Sequence, residues 1–169
     1  MILPMLGVKY ICTKRFAFAN LRLGTRTPTL NDLYWPYQAF DYDGDNLPEY
    51  INEGNPGLES EINWGAEFGV GSTSVWSLTI FYSRAKNLIQ WSNVYPGLPY
   101  GHWKPVNIPD WSEFKGVELK LSKDVSLLDL SAKLTYLDAK DYTGKRLPYR
   151  PSFLFDGSVG FKKGFLKND

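Results

Sequence analysis

Two runs of alternating apolar and polar side chains within residues 127–161 constrain the fold of this chain more than any other feature. In the first run, apolar residues occupy every second position from Leu128 to Tyr136, and polar residues lie between them. After an interruption at residues 138–150, the second run continues the pattern from Phe153 to Phe161. A period of two residues predicts β-strands with one apolar face and one polar face.

Five further segments have the same alternation and predict strands near residues 6–11, 17–23, 62–70, 76–83 and 114–122. The fourth is expected to continue as an extended arm to Trp91. Tight turns are predicted at residues 13–14, 71–74 and 123–124. Residues 25–60 and 92–113 are predicted to be long loops, because proline and glycine interrupt them. A last turn at residues 162–164 is expected to lead into an eighth strand.

Short and long connections alternate along the chain, so antiparallel pairing would place all the short turns at one end of the sheet. Outer-membrane β-barrels have this layout, with short periplasmic turns and long extracellular loops. The runs also approach the roughly 9 to 11 residues that a tilted strand needs to cross a bilayer. The predicted fold class is therefore all-β, an antiparallel transmembrane β-barrel. A soluble sheet shows similar alternation, which alone does not separate lipid from a protein core.

Composition and charge exclude several functions. The 169 residues include 19 basic and 18 acidic side chains, and a net charge of +1 gives no global field to attract nucleic acid. Cys12 is the only cysteine and His102 the only histidine, so paired Cys/His metal spacings are absent. His102 lies in a proline-rich segment and is expected to be an exposed loop residue or a ligand contact. We expect a protein that is not an enzyme and has no nucleic-acid partner.

Three motifs, in a fixed order, carry a family resemblance. They are Arg-Thr-Pro-Thr-Leu-Asn-Asp-Leu-Tyr at residues 26–34, Gly-Asn-Pro-Gly-Leu-Glu-Ser-Glu at 54–61, and a segment at 136–151 that begins Tyr-Leu-Asp-Ala-Lys-Asp and ends Leu-Pro-Tyr-Arg-Pro. From about Pro4 to Lys163, the chain resembles the carboxy-terminal half of the barrel of TonB-dependent receptors. Cobalamin and siderophore transporters belong to that family.

The resemblance implies a barrel of 22 antiparallel strands in the bacterial outer membrane, of which about seven or eight lie in this chain. Residues 1–169 would then form a partial barrel domain, without the plug domain, signal peptide and terminal strands of a whole receptor. The implied function is uptake of a scarce ligand, such as a siderophore or cobalamin. The implied partners are outer-membrane lipid, the small-molecule ligand, and TonB acting through the missing plug.

Two alternatives accompany this interpretation. The first is a soluble lipocalin-like barrel, whose apolar side would enclose a ligand. The second is a small, complete outer-membrane protein of eight strands, with an adhesive or enzymatic role. Solubility without detergent would favour the first, whereas a signal peptide and a terminal aromatic residue would favour the second.

The acidic segment at residues 41–46 allows two interpretations. Asp41, Asp43 and Asp45 supply the hard oxygen ligands that Ca²⁺ prefers, and no basic residue lies between positions 41 and 61. The spacing differs from that of an EF-hand loop, however, and a solvated acidic loop explains the same residues. The sequence leaves both interpretations open and predicts no other cofactor.

Aromatic side chains fall in two groups. Four in the predicted long loops are candidates for ligand contact, because binding residues are frequent on loops: Tyr37, Phe40, Tyr100 and Trp103. Four others lie near the ends of predicted strands, on the apolar faces, and are expected to form an interfacial girdle at the lipid headgroups: Trp64, Trp76, Tyr82 and Tyr136.

Overall fold

A computed structural model describes residues 4–161 of the chain. The elements in chain order are β1 (Met5–Cys12), β2 (Arg15–Arg26), α1 (Leu30–Tyr34), β3 (Gln38–Phe40), β4 (Tyr50–Asn52), β5 (Glu61–Ser72), β6 (Trp76–Lys86), β7 (Ile89–Tyr95), β8 (Gly101–Asn107), β9 (Trp111–Val125), β10 (Leu128–Lys140) and β11 (Phe153–Phe161). The predicted turn at residues 162–164 and the eighth strand lie outside the described residues. No helix among the described residues has the length and apolar character needed to cross a membrane.

The strands form two sheets, and the chain divides into two compact units. The larger sheet has seven strands in the order β1-β2-β5-β6-β9-β10-β11, and the smaller has four in the order β3-β4-β8-β7. We call residues 4–23, 64–84 and 113–161 the wall unit, and residues 24–63 and 85–112 the loop unit. The seven predicted strands correspond to the seven strands of the larger sheet.

The seven strands of the larger sheet pair in the order in which they occur along the chain. Its strand pairs are antiparallel, with Val8 opposite Ala19, Leu134 opposite Leu119, and Leu134 also opposite Phe155. Short turns join β1 to β2, β5 to β6 and β9 to β10, whereas long connections follow β2, β6 and β10. The alternation of short and long connections is therefore confirmed. Strands of 12 to 15 residues at β5, β9 and β10 exceed the length predicted from the sequence.

One face of this sheet is apolar and uncovered. Val8 is 69% exposed, Leu134 48% and Phe155 72%, although each lies within a paired strand. On a soluble protein, an apolar face of this extent would leave a large hydrophobic surface in contact with water. Hydrocarbon is the solvent that suits it, so we call it the lipid-facing side.

The opposite face carries polar side chains that pair with one another. The Asn20 amide donates to Glu67 at 2.8 Å, and the ammonium groups of Lys120 and Lys133 lie 2.9 and 2.7 Å from the two oxygens of Glu118. Polar residues of both signs are typical of the interior of a membrane barrel. The alternation in the sequence therefore separates two chemically different faces.

The turn between β9 and β10 differs from the prediction. It lies at residues 126–127, and Lys123 and Asp124 still belong to β9, opposite Leu130 and Asp129. Ser126 adopts a positive φ of 51°, which lets the chain reverse within two residues. The prediction was wrong because a charged Lys-Asp pair is common in turns, whereas here both residues are paired within the strand and Val125 follows them opposite Leu128.

The predicted arm after the fourth strand also differs from the structure. Strand β6 ends at Lys86, and Asn87 has a positive φ of 57°. The chain leaves the larger sheet there and enters β7, which belongs to the smaller sheet. Asparagine tolerates the left-handed conformation better than most residues, which explains a strand break without glycine or proline.

Both predicted long loops contain strands, which corrects the view that proline would exclude them. Strand β8 lies between β4 and β7, and Pro105 pairs with Trp91 of β7. However, β4 pairs only with residues from Gly101 to Trp103. Pro105 therefore has a strand partner on one side alone, and a proline is tolerated at such an edge position. His102 lies in this strand, and its predicted place in a loop was wrong.

A charge on the lipid-facing side tests the assignment of the two faces. We expect Leu134→Arg to lower the free energy of unfolding from lipid vesicles by about 2–4 kcal/mol, because it places a guanidinium in hydrocarbon. Thr135→Arg is the matched control, since Thr135 lies on the polar face opposite Glu118. Equal losses for the two variants would contradict the assignment.

Candidate functional site

A short capped helix begins the loop unit. The Thr29 hydroxyl accepts a hydrogen bond from the Asp32 backbone N–H at 3.1 Å, and the Asp32 carboxylate accepts one from the Thr29 backbone N–H at 3.0 Å. This reciprocal pair is a capping box, and it satisfies donors that the first turn of a helix leaves free. The motif at residues 26–34 therefore sets the start of α1.

Arg26 links the first two motifs of the sequence. Its guanidinium lies 2.6 Å from Glu61 and 3.3 Å from Asp32, and both carboxylates are buried. Glu61 also accepts a hydrogen bond from the Ile89 backbone N–H at 2.8 Å. Burial raises the pKa of Asp32, but hydrogen bonds from Thr29 and the charge of Arg26 outweigh it, so the pKa lies below its ordinary value.

Gly54 in the second motif is required by close packing of backbones. A Cβ at this position would lie 2.7 Å from the Leu33 carbonyl oxygen, so any other residue would push the two segments apart. The backbone N–H of Gly54 donates to the Trp35 carbonyl at 2.9 Å, and that of Asn55 donates to the Asp32 carbonyl at 2.8 Å. The second motif therefore packs directly against the end of α1.

Aromatic rings gather at one side of the small sheet. Phe40 at the end of β3 pairs with Tyr50 at the start of β4, with ring centroids 5.6 Å apart. Tyr42 stacks on Phe40 at 6.1 Å and meets Tyr100 edge-on at 5.3 Å. We call Phe40, Tyr42, Tyr50 and Tyr100 the aromatic cluster. Its rings are exposed at Phe40, Tyr42 and Tyr100, so a ligand has access to them.

The structure brings together only part of the predicted ligand-contact set. Phe40 and Tyr100 meet through Tyr42, and the Trp103 indole N–H donates to the Tyr100 carbonyl at 2.9 Å. Tyr37 is exposed just before β3, with no ring contact among those found in the described residues. Tyr42 and Tyr50 were absent from the predicted ligand-contact set. The pairing of residues 38–40 with 50–52 would have identified them, had this short hairpin been recognised.

Four carboxylates lie next to these rings. Each of Asp41, Asp43, Asp45 and Glu49 offers an oxygen, and these oxygens lie within 4.8 Å of one another. Asp41 accepts hydrogen bonds from the backbone N–H groups of Gly44 and Asn46, so the loop curls around its carboxylate. Gly44 and Asn46 both have positive φ, which this curl requires. We call these four residues the acidic cluster. Glu49 was missing from the predicted set.

Glu53 is a third carboxylate in the loop unit with basic partners, after Asp32 and Glu61. Glu53 Oε1 lies 3.1 Å from the Lys104 ammonium and 3.2 Å from His102 Nε2. The hydrogen bond from Lys104 lowers the pKa of Glu53, burial opposes it, and the charges of Lys104 and His102 add to the lowering. This group ties the residue after β4 to β8.

The loop unit is acidic as a whole. It contains nine aspartate and glutamate residues and only three lysines and arginines, whereas the complete chain has a net charge of +1. Two of the three cations are engaged, Arg26 by Asp32 and Glu61, and Lys104 by Glu53. An exposed aromatic cluster beside a negative surface suits noncovalent capture of an apolar, neutral or cationic group.

Known proteins of a β-barrel family are similar to this chain in sequence. A family model described as "TonB dependent receptor-like, beta-barrel" matches residues 1–167. A curated relative, the vitamin B12 transporter BtuB of Photobacterium profundum, is 33% identical over 126 residues, which cover 73% of this chain and 18% of the relative. The chain therefore spans about a fifth of the length of that relative.

Solved structures share the fold at low sequence identity. The copper transporter OprC superposes with a TM-score of 0.67 and 16% identity, covering 95% of this chain and 24% of OprC. A variant of the ferric enterobactin receptor PfeA from Pseudomonas aeruginosa, in complex with enterobactin, gives a TM-score of 0.63 and 20% identity, covering 96% and 26%. These likenesses concern the fold.

A sheet with a lipid-facing side, a polar side and long connections at one end defines the wall of an outer-membrane β-barrel. The chain belongs to the TonB-dependent receptor β-barrel family. Its place is the bacterial outer membrane, and the predicted partial barrel is confirmed. This membership decides against both the lipocalin-like barrel and an unrelated barrel of eight strands. The curated relative named above is a transporter.

The Glu53 ion pairs predict a pH dependence in the loop unit. Because the folded pKa of Glu53 lies below the ordinary value of 4.5, its stabilising effect is complete above 4.5 and is lost as the pH falls through the folded pKa. We expect Lys104→Gln to weaken amide protection in β4 and β8 by about 0.5–1 kcal/mol at pH 7. Hydrogen exchange measures this loss, which should shrink below the folded pKa. A loss of the same size at every pH would contradict the assignment.

Proposed function

We propose that the receptor containing this chain takes up a scarce small molecule across the outer membrane, and that the loop unit contributes to its capture. The observation that carries the proposal is the exposed aromatic cluster, built from connections of a barrel that belongs to a receptor family. Binding groups on loops held by a rigid scaffold are a general arrangement in proteins.

Within this proposal, cobalamin fits the loop unit better than an anionic ferric siderophore. The excess of carboxylates would repel a ferric catecholate, whereas cobalamin offers amide groups and a large apolar ring system for contact with aromatic side chains. The curated relative from Photobacterium profundum is named as a vitamin B12 transporter, which supports the same choice.

Transport by the whole receptor would require energy that the outer membrane itself does not supply. We propose TonB as the partner that supplies it, acting through a plug domain as the family resemblance implies. The chain's own part in this cycle is to form wall and loops, because the polar side of the sheet pairs its charges internally and suits contact with a polar plug.

Removal of the exposed rings tests the capture role. We expect Tyr42→Ala/Tyr100→Ala to weaken binding of cyanocobalamin to the intact receptor about tenfold, because it removes two rings from the aromatic cluster. Equilibrium binding to cells that express the receptor measures the effect, with a ferric catecholate as the competing ligand class. Tyr142→Ala is the control, since Tyr142 is an exposed tyrosine of the connection between β10 and β11. Equal losses in the two variants, or preferential binding of the ferric catecholate, would contradict the proposal.

We further propose calcium as a ligand of the acidic cluster. Oxygen atoms of Asp41, Asp43, Asp45 and Glu49 within 4.8 Å of one another supply hard ligands, and no Lys or Arg lies between residues 41 and 61. A bound cation would offset carboxylate repulsion and stiffen the loop that carries Tyr42.

Calorimetric titration of the intact receptor with calcium chloride tests this second proposal. We expect heat of binding for the natural sequence and at least about tenfold weaker binding for Asp43→Asn, because a charged ligand is lost. Asp141→Asn is the matched control. Asp141 is also a loop aspartate that accepts local hydrogen bonds from Thr143 and Lys145, and these lower its pKa, but it lies outside the acidic cluster. Unchanged calcium binding by Asp43→Asn would refute the assignment.

A further inference from the structure

Two phenylalanine rings lie on the polar side of the wall unit, close to its short turns. Phe16 and Phe18 precede Asn20 by four and two residues on β2, and Asn20 donates to Glu67 on the polar side, so the three side chains share that face. The two rings are nearly parallel, with 22° between their planes and 6.2 Å between their centroids. An apolar surface therefore lies on the face that belongs to the barrel interior.

Glycines on β5 let these half-buried rings lie against the sheet. A Cβ at Gly71 would be 2.9 Å from the Phe16 ring, and a Cβ at Gly69 would overlap the Phe18 ring. Lys9 places its ammonium 5.2 Å from the centre of the Phe16 ring. Glycine weakens the interior of a strand, and it often marks a place where a ligand or another backbone comes close. The two glycines thus give the barrel interior a low aromatic surface.

A cavity of about 280 Å³ adjoins Phe16 near the ends of these strands. Most of its polar lining consists of hydroxyl groups, from Ser72, Thr73, Ser74, Ser77 and Ser122. Lys120 also lines the cavity, but its ammonium lies 2.9 Å from Glu118, so this cation already has a partner. Hydroxyl groups donate and accept hydrogen bonds without adding charge. We call Phe16, Phe18, Ser77, Lys120 and Ser122 the short-turn site.

Backbone hydrogen bonds between neighbouring elements hold the short-turn site in shape. The Thr73 N–H donates to the Lys14 carbonyl at 2.9 Å, and the Ser122 N–H donates to the Val75 carbonyl at 2.7 Å. The turn between β1 and β2 is thereby joined to the turn between β5 and β6, which is joined in turn to β9. The rings and hydroxyls are therefore positioned before a ligand arrives, which lowers the entropic cost of binding.

We propose that the short-turn site is a second contact for the transported molecule, reached after capture. The site fits a neutral molecule with a large apolar ring system and a rim of amide groups. Phe16 and Phe18 pack against the ring system, and the hydroxyls of Ser77 and Ser122 hydrogen-bond the amides. A volume of about 280 Å³ admits side groups of such a molecule, while the ring system stays on the two phenylalanines. The inference rests on the proposed uptake of cobalamin and adds a site to it.

The position of the short-turn site assigns it to release on the periplasmic side. It lies beside the β1–β2 and β5–β6 turns, and short turns of outer-membrane barrels are periplasmic. Strand β2 begins at the site and runs from there towards its long connection. A molecule that enters from the long connections therefore meets this end of the strands last. A contact on a transport route must also let its ligand leave, which suits neutral ring and hydroxyl contacts.

Uptake kinetics of the intact receptor in cells test the proposal. Phe16→Leu/Phe18→Leu keeps apolar groups over the glycines but removes both rings. We expect unchanged equilibrium binding of cyanocobalamin to de-energised cells, and an initial uptake rate per bound receptor about fivefold lower than that of the natural sequence. Ser77→Ala/Ser122→Ala removes two hydroxyls and should also lower the uptake rate about fivefold without loss of binding. Phe16→Tyr/Phe18→Tyr retains the rings and should keep the natural uptake rate.

The matched control is Phe153→Leu/Phe155→Leu, which changes two phenylalanines two residues apart on β11, on the lipid-facing side. It should bind and take up cyanocobalamin like the natural sequence. Unchanged uptake by Phe16→Leu/Phe18→Leu, or an equal loss in the control, would refute the short-turn site and leave the proposed function intact. Expressing uptake per bound receptor makes the comparison independent of how much of each variant reaches the membrane.

Three further outcomes would also overturn the proposal. Weaker binding of cyanocobalamin to de-energised cells by Phe16→Leu/Phe18→Leu would mean that the rings act in capture. Faster entry of vancomycin, a bulky hydrophilic antibiotic, into cells with this variant would mean that the rings hold the plug. If the natural sequence neither binds nor takes up cyanocobalamin, the proposed function and the short-turn site are both refuted.

Discussion

Hydrogen bonding of the backbone in a medium without water is the constraint on which the rest of this structure depends. In hydrocarbon, each unpaired N–H or C=O group costs several kcal/mol, so strands can cross a bilayer only when both edges are paired. The seven-stranded sheet meets this demand between β1 and β11. Its outermost described strands, β1 and β11, each have one edge that further strands of a closed barrel would pair. Once the backbone groups are paired, the side chains determine which face of the sheet contacts lipid.

Buried charge has a different role in the loop unit. Arg26, Asp32 and Glu61 come from a strand end, a helix and the start of the next long strand, and two hydrogen-bonded ion pairs hold them together. Removing one partner would leave a buried charge without compensation, which is costly. The network therefore explains why the first two motifs occur together and in order. It gives the connection between β2 and β5 a defined shape, in place of a flexible loop.

The wall was predictable because a single physical period governs it. Alternation located all seven strands, since lipid on one side and polar groups on the other impose the same rule at every position. The small sheet was not predictable in this way. Strands β3 and β4 have three residues each, too few to show a period, and β8 contains Pro105. Their pairing depends on residues distant in sequence, such as Ile51 with His102.

The candidate site was likewise predictable only in part. Asp41, Asp43 and Asp45 stand together because they are close in sequence, whereas Glu49 joins them through the turn back from β3 to β4. Phe40 and Tyr100 were selected as loop aromatics, yet Tyr42 is the ring that connects them. Composition identified the right kind of residue, and tertiary pairing determined which individual residues meet.

Accessibility along β10 tests the central claim that alternate residues of the wall face hydrocarbon. Single spin labels at residues 129–136 of the intact receptor in lipid bilayers, with Cys12 replaced by serine, compare collision with oxygen and with a water-soluble nickel complex. Positions from Leu130 to Tyr136 at every second residue should favour oxygen, and the positions between them should favour nickel. Uniform values, or nickel access at Leu130, Leu134 and Tyr136, would contradict the account.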